Sequence, residues 1–292
     1  MEKITGKITI KKIFSANNNW TNFFSKNKNR IRDSIPFNIE KIFKCKTPAL
    51  GYSVYKCPKC RHKHTVNHTC KSRICSSCGK VATDEWIEEI LAKLPDCNYQ
   101  HITFHPPSEF WLLFLFNRKL MLNLLFSSVS LCLLIYAKKI KKCLPGLILI
   151  LHTFGRDLKF SPHIHVIITY DSLALNKSKI VKCYIKEDKI KSMWRYQFTT
   201  LLRKSFKKNS LSFPISFKFS SSLTLFNKFL DLVYNKIWYI FLKHTTKNLS
   251  LAVKYIGRYT KKPVLAEARI DSFDDNFVSF WFHDHTTEKK NS

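Results

Sequence analysis

Glycine is scarce. Only Gly6, Gly51, Gly79, Gly146, Gly155 and Gly257 occur in 292 residues. No two lie close enough together for a dinucleotide-binding fingerprint or a phosphate-cradling P-loop, which excludes the usual glycine-rich ATP and NAD sites. Acid is scarce as well: 20 Asp and Glu stand against 50 Lys and Arg, a formal net charge of +30. An excess of that size on a folded chain points to a polyanionic partner, nucleic acid above all, rather than to solubility alone. The opening MEKITGKITIKK has no apolar h-region and no small-residue cleavage site, so a secretory signal is not expected. Apolar residues are not lacking. At 45% of the chain they suffice for one or two domains with cores.

One stretch, Leu120 to Ala137, carries no charge and reaches the lower length limit for a membrane span. Asn123, Ser127, Ser128 and Ser130 interrupt it, and Arg118 and Lys119 cut it from the apolar run before it. A buried core helix is the better reading, with no membrane partner.

Periodicity gives a coarse order of elements. Residues 1–50 read as a basic arm, short-helical or irregular. Val81 to Leu94 reads as a helix with Trp86, Ile87, Ile90, Leu91 and Leu94 on one face, stopped by Pro95. Asn98 to Phe104 reads as a strand, followed by a long apolar helical region to about Lys142. Leu147 to Phe154 and His163 to Tyr170 read as two adjacent buried strands around the loop GRDLKFSP. Met193 to Lys208 and Leu249 to Lys262 read as basic helices. Residues 209–224 read as irregular, and Asn227 to Lys243 is of open type. VLAEARI and FVSFWFH read as two closing strands.

Ten cysteines are present, five of them between Cys57 and Cys78. Without secretion, clustered cysteines read as metal ligands rather than disulfides. Cys57-Pro-Lys-Cys60 and Cys75-Ser-Ser-Cys78 are two Cys-x-x-Cys turns at close to zinc-ribbon spacing. Those four are the favoured ligands, with Cys70 a fifth candidate and His62, His64 and His68 as possible substitutes. Four soft ligands leave no open position, so the zinc is structural. Lys56, Lys59, Arg61, Lys63, Lys71, Arg73 and Lys80 surround the cluster and suit phosphate contacts. Cys132, Cys143 and Cys183 read as lone packed or surface thiols.

His163-Ile164-His165 puts two imidazoles on one face of a strand, where they can hold one divalent cation. His62/His64 and His283/His285 have the same spacing, but only His163 and His165 flank an apolar residue and lead into a buried run, Val166-Ile167-Ile168. Hydrogen bonding alone would explain such a pair equally well. A further ligand is needed, and His152, Asp157 and His101 are the candidates. Tyr255 and Tyr259 stand four apart on a helix, on one face, among Lys254, Arg258, Lys261 and Lys262. A phenol can attack phosphorus when cations stabilise the developing charge, although aromatic packing of a basic helix also fits this spacing.

The combination is more specific than its parts. The Cys-rich run from Cys70 through Arg73 to Cys78, then HITFHPPSEFW, LHTFGRDLKFSPHIHVIIT and AVKYIGRYTKK, closely resembles the two-tyrosine rolling-circle transposases of bacterial insertion sequences, members of the HUH endonuclease superfamily. The resemblance runs from about Tyr52 to Trp281. It implies an α+β fold: an N-terminal Cys-rich zinc-ribbon-like module, then an HUH-endonuclease-like antiparallel sheet flanked by helices. The corresponding division is a basic arm at 1–50, a zinc-binding module with its following helix at 51–96, and a catalytic domain at 97–292.

The resemblance further implies that His163 and His165 hold Mg²⁺ or Mn²⁺ and that Tyr255 and Tyr259 are nucleophiles. They would form 5′-phosphotyrosine links and release 3′-hydroxyls on single-stranded DNA at element ends and target. Arg73, Lys254, Arg258, Lys261 and Lys262 would bind DNA. No nucleotide cofactor is needed, because the covalent link keeps the phosphodiester energy. The location implied is the bacterial cytoplasm, at the nucleoid. The family continues with a further basic segment where this sequence has HDHTTEKKNS, so a shortened tail is expected. Rival readings are a rolling-circle replication initiator or relaxase, and a non-catalytic zinc-ribbon DNA-binding remnant. A carboxylate-triad enzyme fits poorly, since Asp157, Asp171 and Glu187 are the nearest acids on offer.

Overall fold

The computed structural model describes residues 7–246, 253–254, 257, 263–283 and 290–291. Contacts divide the chain into two compact units, one of residues 1–89, 156–158 and 257–292, the other of 90–155 and 159–256.

The first unit opens with three helices where a short-helical or irregular arm was expected: α1 (Ile10–Ser15), α2 (Asn19–Asn27) and α3 (Ser34–Lys44). The side chain of Thr9 caps α1 by accepting the Lys12 N–H. Ile39 and Ile42, three apart on α3, are buried against Cys70, Cys75 and Cys78, with Trp20 and Phe43 alongside. The antiparallel hairpin β1 (Tyr52–Lys56) and β2 (Lys63–Asn67) follows. Helix α4 (Ser76–Lys93) starts five residues earlier than periodicity indicates, which brings Cys78 into its first turn. Ile8 packs with Ile270 and Phe273, and the Ile10 N–H donates to Glu267 Oε1 at 2.9 Å, so the two ends of the described chain share this small core. The closing hairpin pairs Ile270–Phe273 with Val278–Phe280. Of the expected strand VLAEARI only Ile270 lies in a strand, because Glu267–Arg269 form a 3-10 turn.

The second unit is built on an antiparallel sheet. Its strands are β3 (Tyr99–His105), β5 (Leu147–Phe154), β6 (Phe160–Thr169) and β9 (Tyr239–Thr246), in the order β5-β6-β3-β9. A small side sheet joins β4 (Cys143–Leu144), β7 (Asp171–Ala174) and β8 (Ile180–Lys182). The open segment 227–243 resolves into the end of helix α8 (Leu223–Tyr234) and the start of β9. Alternation sends Ile102, Phe104, Ile164, Val166, Ile168 and Ile240 to one face of the main sheet, where the helices cover them. Those helices are α5 (Trp111–Phe116), α6 (Arg118–Ile135), α7 (Glu187–Lys207) and α8.

Helix α7 shows why the sequence folds this way. Ile190, Trp194, Phe198 and Leu202 recur every four residues and are wholly buried, while Glu187 and Asp188 occupy the first turn and Lys204 and Lys207 the last, matching the helix dipole. Trp194 stands edge-on to Trp238 at 4.9 Å and to Phe104 at 5.1 Å, and its Nε1 donates to Ser128 Oγ. The segment Arg118–Lys141 is long and apolar enough to cross a membrane. Its Met121, Leu125, Val129, Cys132 and Leu133 are instead fully buried in this core. Ser128, whose polarity interrupts the run, is satisfied by Leu125 O and Trp194.

Candidate active site and zinc centre

The face of the sheet opposite the helices carries histidines. Register places His101 and Thr103 of β3 beside Ile167 and His165 of β6, and His152 of β5 directly opposite His163. One ligand atom each from His152, His163 and His165 lie within 4.8 Å of one another. Of the three candidates for a further ligand, His152 therefore joins the pair. His101 instead sits behind His165, with its Nε2 2.9 Å from His165 Nδ1, and Thr103 Oγ1 lies 3.0 Å from that same atom. Asp157 belongs to the first unit.

Hydrogen bonds set the tautomers. His163 Nδ1–H donates to the carbonyl oxygen of Ser161 at 2.6 Å, which puts the lone pair on Nε2. Burial holds the imidazoles neutral: the pKa of His163 and that of His101 fall to about 4, and His165 is pushed down further by burial and by its histidine neighbours. Neutral imidazoles are the form a cation binds. His105, which the sequence did not single out as a site residue, stacks on His163 at 5.7 Å and bonds Ser161 Oγ through Nε2 at 2.6 Å. Its signal was its position: it ends the same strand as His101, on the same face.

Two of the three nearest acids are committed to structure. Asp171 accepts from the Asn98 N–H and from Lys182, and its pKa drops to about 2 chiefly through the Lys182 bond. Glu187 pairs with Lys191 one helical turn on.

Tyr255 and Tyr259 lie outside the described residues, as do Arg258, Lys261 and Lys262. Lys254 is helical and exposed, and Arg73 is exposed in the turn before α4. Between the tyrosines, Gly257 is helical and lies against α4. A Cβ there would stand 2.8 Å from Ile87 Cγ1 and 3.0 Å from Trp86 Cζ3, closer than a methyl tolerates. The glycine is required by close packing, not by an unusual φ.

The zinc centre differs from the spacing-based assignment. Cys45, Cys70, Cys75 and Cys78 bring their sulfurs within 4.8 Å of one another, and Cys57 and Cys60 are not among them. Cys45 is the ligand that sequence reasoning missed. Lys46 adopts a left-handed φ of 59° and its N–H donates to His68 O, turning the chain so that Cys45 Sγ accepts the Cys70 N–H. Cys57 and Cys60 stand instead at the tip of the β1–β2 hairpin. The cluster fits a zinc ion. Sulfur separations of 3.6, 3.6 and 3.8 Å match the edge of a regular tetrahedron, ~3.8 Å at a Zn–S distance of ~2.3 Å. Burial raises the Cys70 and Cys75 thiols. It also opposes ionisation of Cys78, but hydrogen bonds from Cys70 and Cys45 outweigh it and bring Cys78 down to about 7.

Residues 15–105 match the family model described as a transposase zinc-binding domain, and residues 146–292 match that of a putative transposase. The chain is 31% identical over 284 residues to the transposase for insertion sequence element IS801 of Pseudomonas savastanoi pv. phaseolicola, covering 96% of this chain and 67% of that protein. The chain belongs to the IS91 family of rolling-circle transposases. A second relative, putative transposase y4qJ of Sinorhizobium fredii, is 25% identical over 247 residues, covering 82% of the chain and 62% of its own length. The chain thus spans about two thirds of the length of these two transposases. No solved structure matches it.

Proposed function

We propose that this transposase cuts and rejoins single-stranded DNA at the ends of its insertion sequence through 5′-phosphotyrosine intermediates, using His152, His163 and His165 to hold a divalent cation. The observation that carries the reading is the three-histidine cluster on the sheet face opposite the helices, with His163 Nδ1 anchored on Ser161 O. It stands with the two tyrosines of the YIGRYT motif, one for each of two strand transfers, and with the family membership.

When bound, the cation supplies Lewis-acid polarisation of the scissile phosphate. The chain's own residues do the rest. Tyr255 or Tyr259 attacks phosphorus, the new Tyr O–P bond forms as the P–O3′ bond breaks, and the 3′-oxygen leaves as a hydroxyl. His101 and Thr103 fix the ring of His165, and Ser161 fixes that of His163. Three imidazoles without a carboxylate form a borderline-soft donor set, which suits Mn²⁺ better than Mg²⁺. The excess of 30 positive charges supports DNA binding, and Arg73 and Lys254 are exposed to take part in it. The place of action in this reading is the bacterial cytoplasm, at the nucleoid.

The test incubates the protein with Mn²⁺ and labelled single-stranded oligonucleotides tiling the element's ends, and looks for a denaturation-resistant adduct. An adduct that survives Tyr255→Phe and Tyr259→Phe singly and disappears in the double variant supports the reading. Binding without any adduct, across all oligonucleotides and both metals, would leave a DNA-binding remnant.

A further inference from the structure

Cys57 and Cys60 are left over once the zinc tetrahedron is assigned, and their surroundings are organised. The backbone N–H groups of Lys59 and Cys60 hydrogen-bond to the Cys57 sulfur. The Arg61 N–H donates to Cys57 O at 2.9 Å, and Arg61, directly after the second cysteine, takes a left-handed φ of 57°. This is a tight knuckle that folds two sulfurs toward one point, held in a conformation that glycine would adopt more cheaply.

The strands beneath the knuckle supply nitrogen. The Cys57 N–H donates to His62 O at 2.9 Å, extending the register in which Tyr55 faces His64 and Lys56 faces Lys63. Alternation therefore puts His62 and His64 on the same face of the hairpin as Cys57. Both imidazoles are exposed, so packing does not fix their rotamers.

The hairpin also lacks another source of order. Its strands are five residues each, and Tyr52, Val54, Tyr55 and Val66 are all exposed. A two-stranded hairpin with no core is marginal in water. Its tip needs a tie that hydrophobic burial does not provide.

We propose that the tip of this hairpin binds a second zinc ion through Cys57, Cys60, His62 and His64, separate from the ion held by Cys45, Cys70, Cys75 and Cys78. Two thiolates and two imidazoles make a closed tetrahedral set for zinc, which is therefore structural. The site is local, with all four ligands inside eight residues, and solvent-facing. It exchanges its metal faster than the buried cluster.

The test measures metal content of the full chain, purified with zinc and dialysed, by elemental analysis. Two zinc ions per chain are expected. The Cys57→Ser/Cys60→Ser variant and the His62→Ala/His64→Ala variant should each hold one, with the thermal midpoint of the rest of the molecule preserved. Reconstitution with Co²⁺ gives a second readout: the ion lost in these variants should carry the spectrum of a site with two sulfurs and two nitrogens, and the ion retained that of four sulfurs. A stoichiometry of one in the wild type overturns the proposal. So does an unchanged count of two in the hairpin variants. Cys60, His62 and His64 are exposed and Cys57 is half-buried, so circular dichroism of each variant verifies that it is folded.

Discussion

Cys45 Sγ lies 3.6 Å from Cys78 Sγ across 33 positions of chain, joining the end of α3 to the first turn of α4. Neither helix has a large core of its own: α3 buries Ile39 and Ile42. The metal therefore supplies much of what holds this module together, since the binding energy of a structural zinc is folding energy. Cys45→Ser should remove one zinc and cost several kcal/mol, seen as a lowered thermal midpoint together with a reduced metal count. A midpoint and zinc content equal to wild type would remove Cys45 from the centre.

The three-histidine donor set makes a prediction about metal preference. Cleavage of single-stranded DNA should be faster with Mn²⁺ than with Mg²⁺ at equal concentration, because Mn²⁺ accepts imidazole nitrogen more readily than Mg²⁺ does. His163→Ala should abolish cleavage while leaving DNA affinity within about twofold. His152→Ala should weaken metal dependence, raising the Mn²⁺ concentration for half-maximal rate. Cleavage by His163→Ala at the wild-type rate would detach this cluster from catalysis.

Acid should destabilise the second unit in a defined window. His101 and His163 are buried and neutral, with folded-state pKa values of about 4 against 6.5. Between those values the unfolded chain binds more protons than the folded one, so stability is present above pH ~6.5 and is lost as pH falls toward ~4. Each histidine contributes a slope approaching about 1.4 kcal/mol per pH unit inside the window. Denaturant midpoints from pH 7 to pH 4 check this, and replacing His101 with Gln should flatten the curve.

Gly257→Ala should reduce cleavage more than it reduces stability. The added methyl meets the side chains of Ile87 and Trp86, so the chain at Gly257, which lies between Tyr255 and Tyr259 in sequence, must shift or α4 must give way. Pairing it with Ile87→Ala, which opens the space, should restore part of the rate. Failure of the pair to differ from the single variant would place the defect elsewhere.

Much of this was legible in the sequence where pattern and physics coincide. The His163-Ile164-His165 alternation located the histidine-bearing side of β6, because strand period alone decides which side chains share a face. The fourfold spacing of Ile190, Trp194, Phe198 and Leu202 similarly marks α7. What was hidden depends on long-range folding. Cys45 carries no Cys-x-x-Cys partner, and only the left-handed turn at Lys46 brings it to Cys70. Cys57 and Cys60 show the converse, since correct local spacing did not deliver them to the other pair. His152 became distinguishable from Asp157 and His101 only through the register of β5 on β6. For 1–50 the sequence left short-helical and irregular readings open, because short segments with few buried positions give weak periodicity, and the structure has three short helices there.

Helix α4 carries Cys78 in its first turn and packs Ile87, about 13 Å further along its axis, against Gly257. One rigid rod thus has its foot in the zinc cluster and its flank against the segment between the two tyrosines. Corrosion at the foot tilts the flank. Oxidants or chelators that reach the foot can therefore disturb the chain at Gly257 without touching the YIGRYT segment itself.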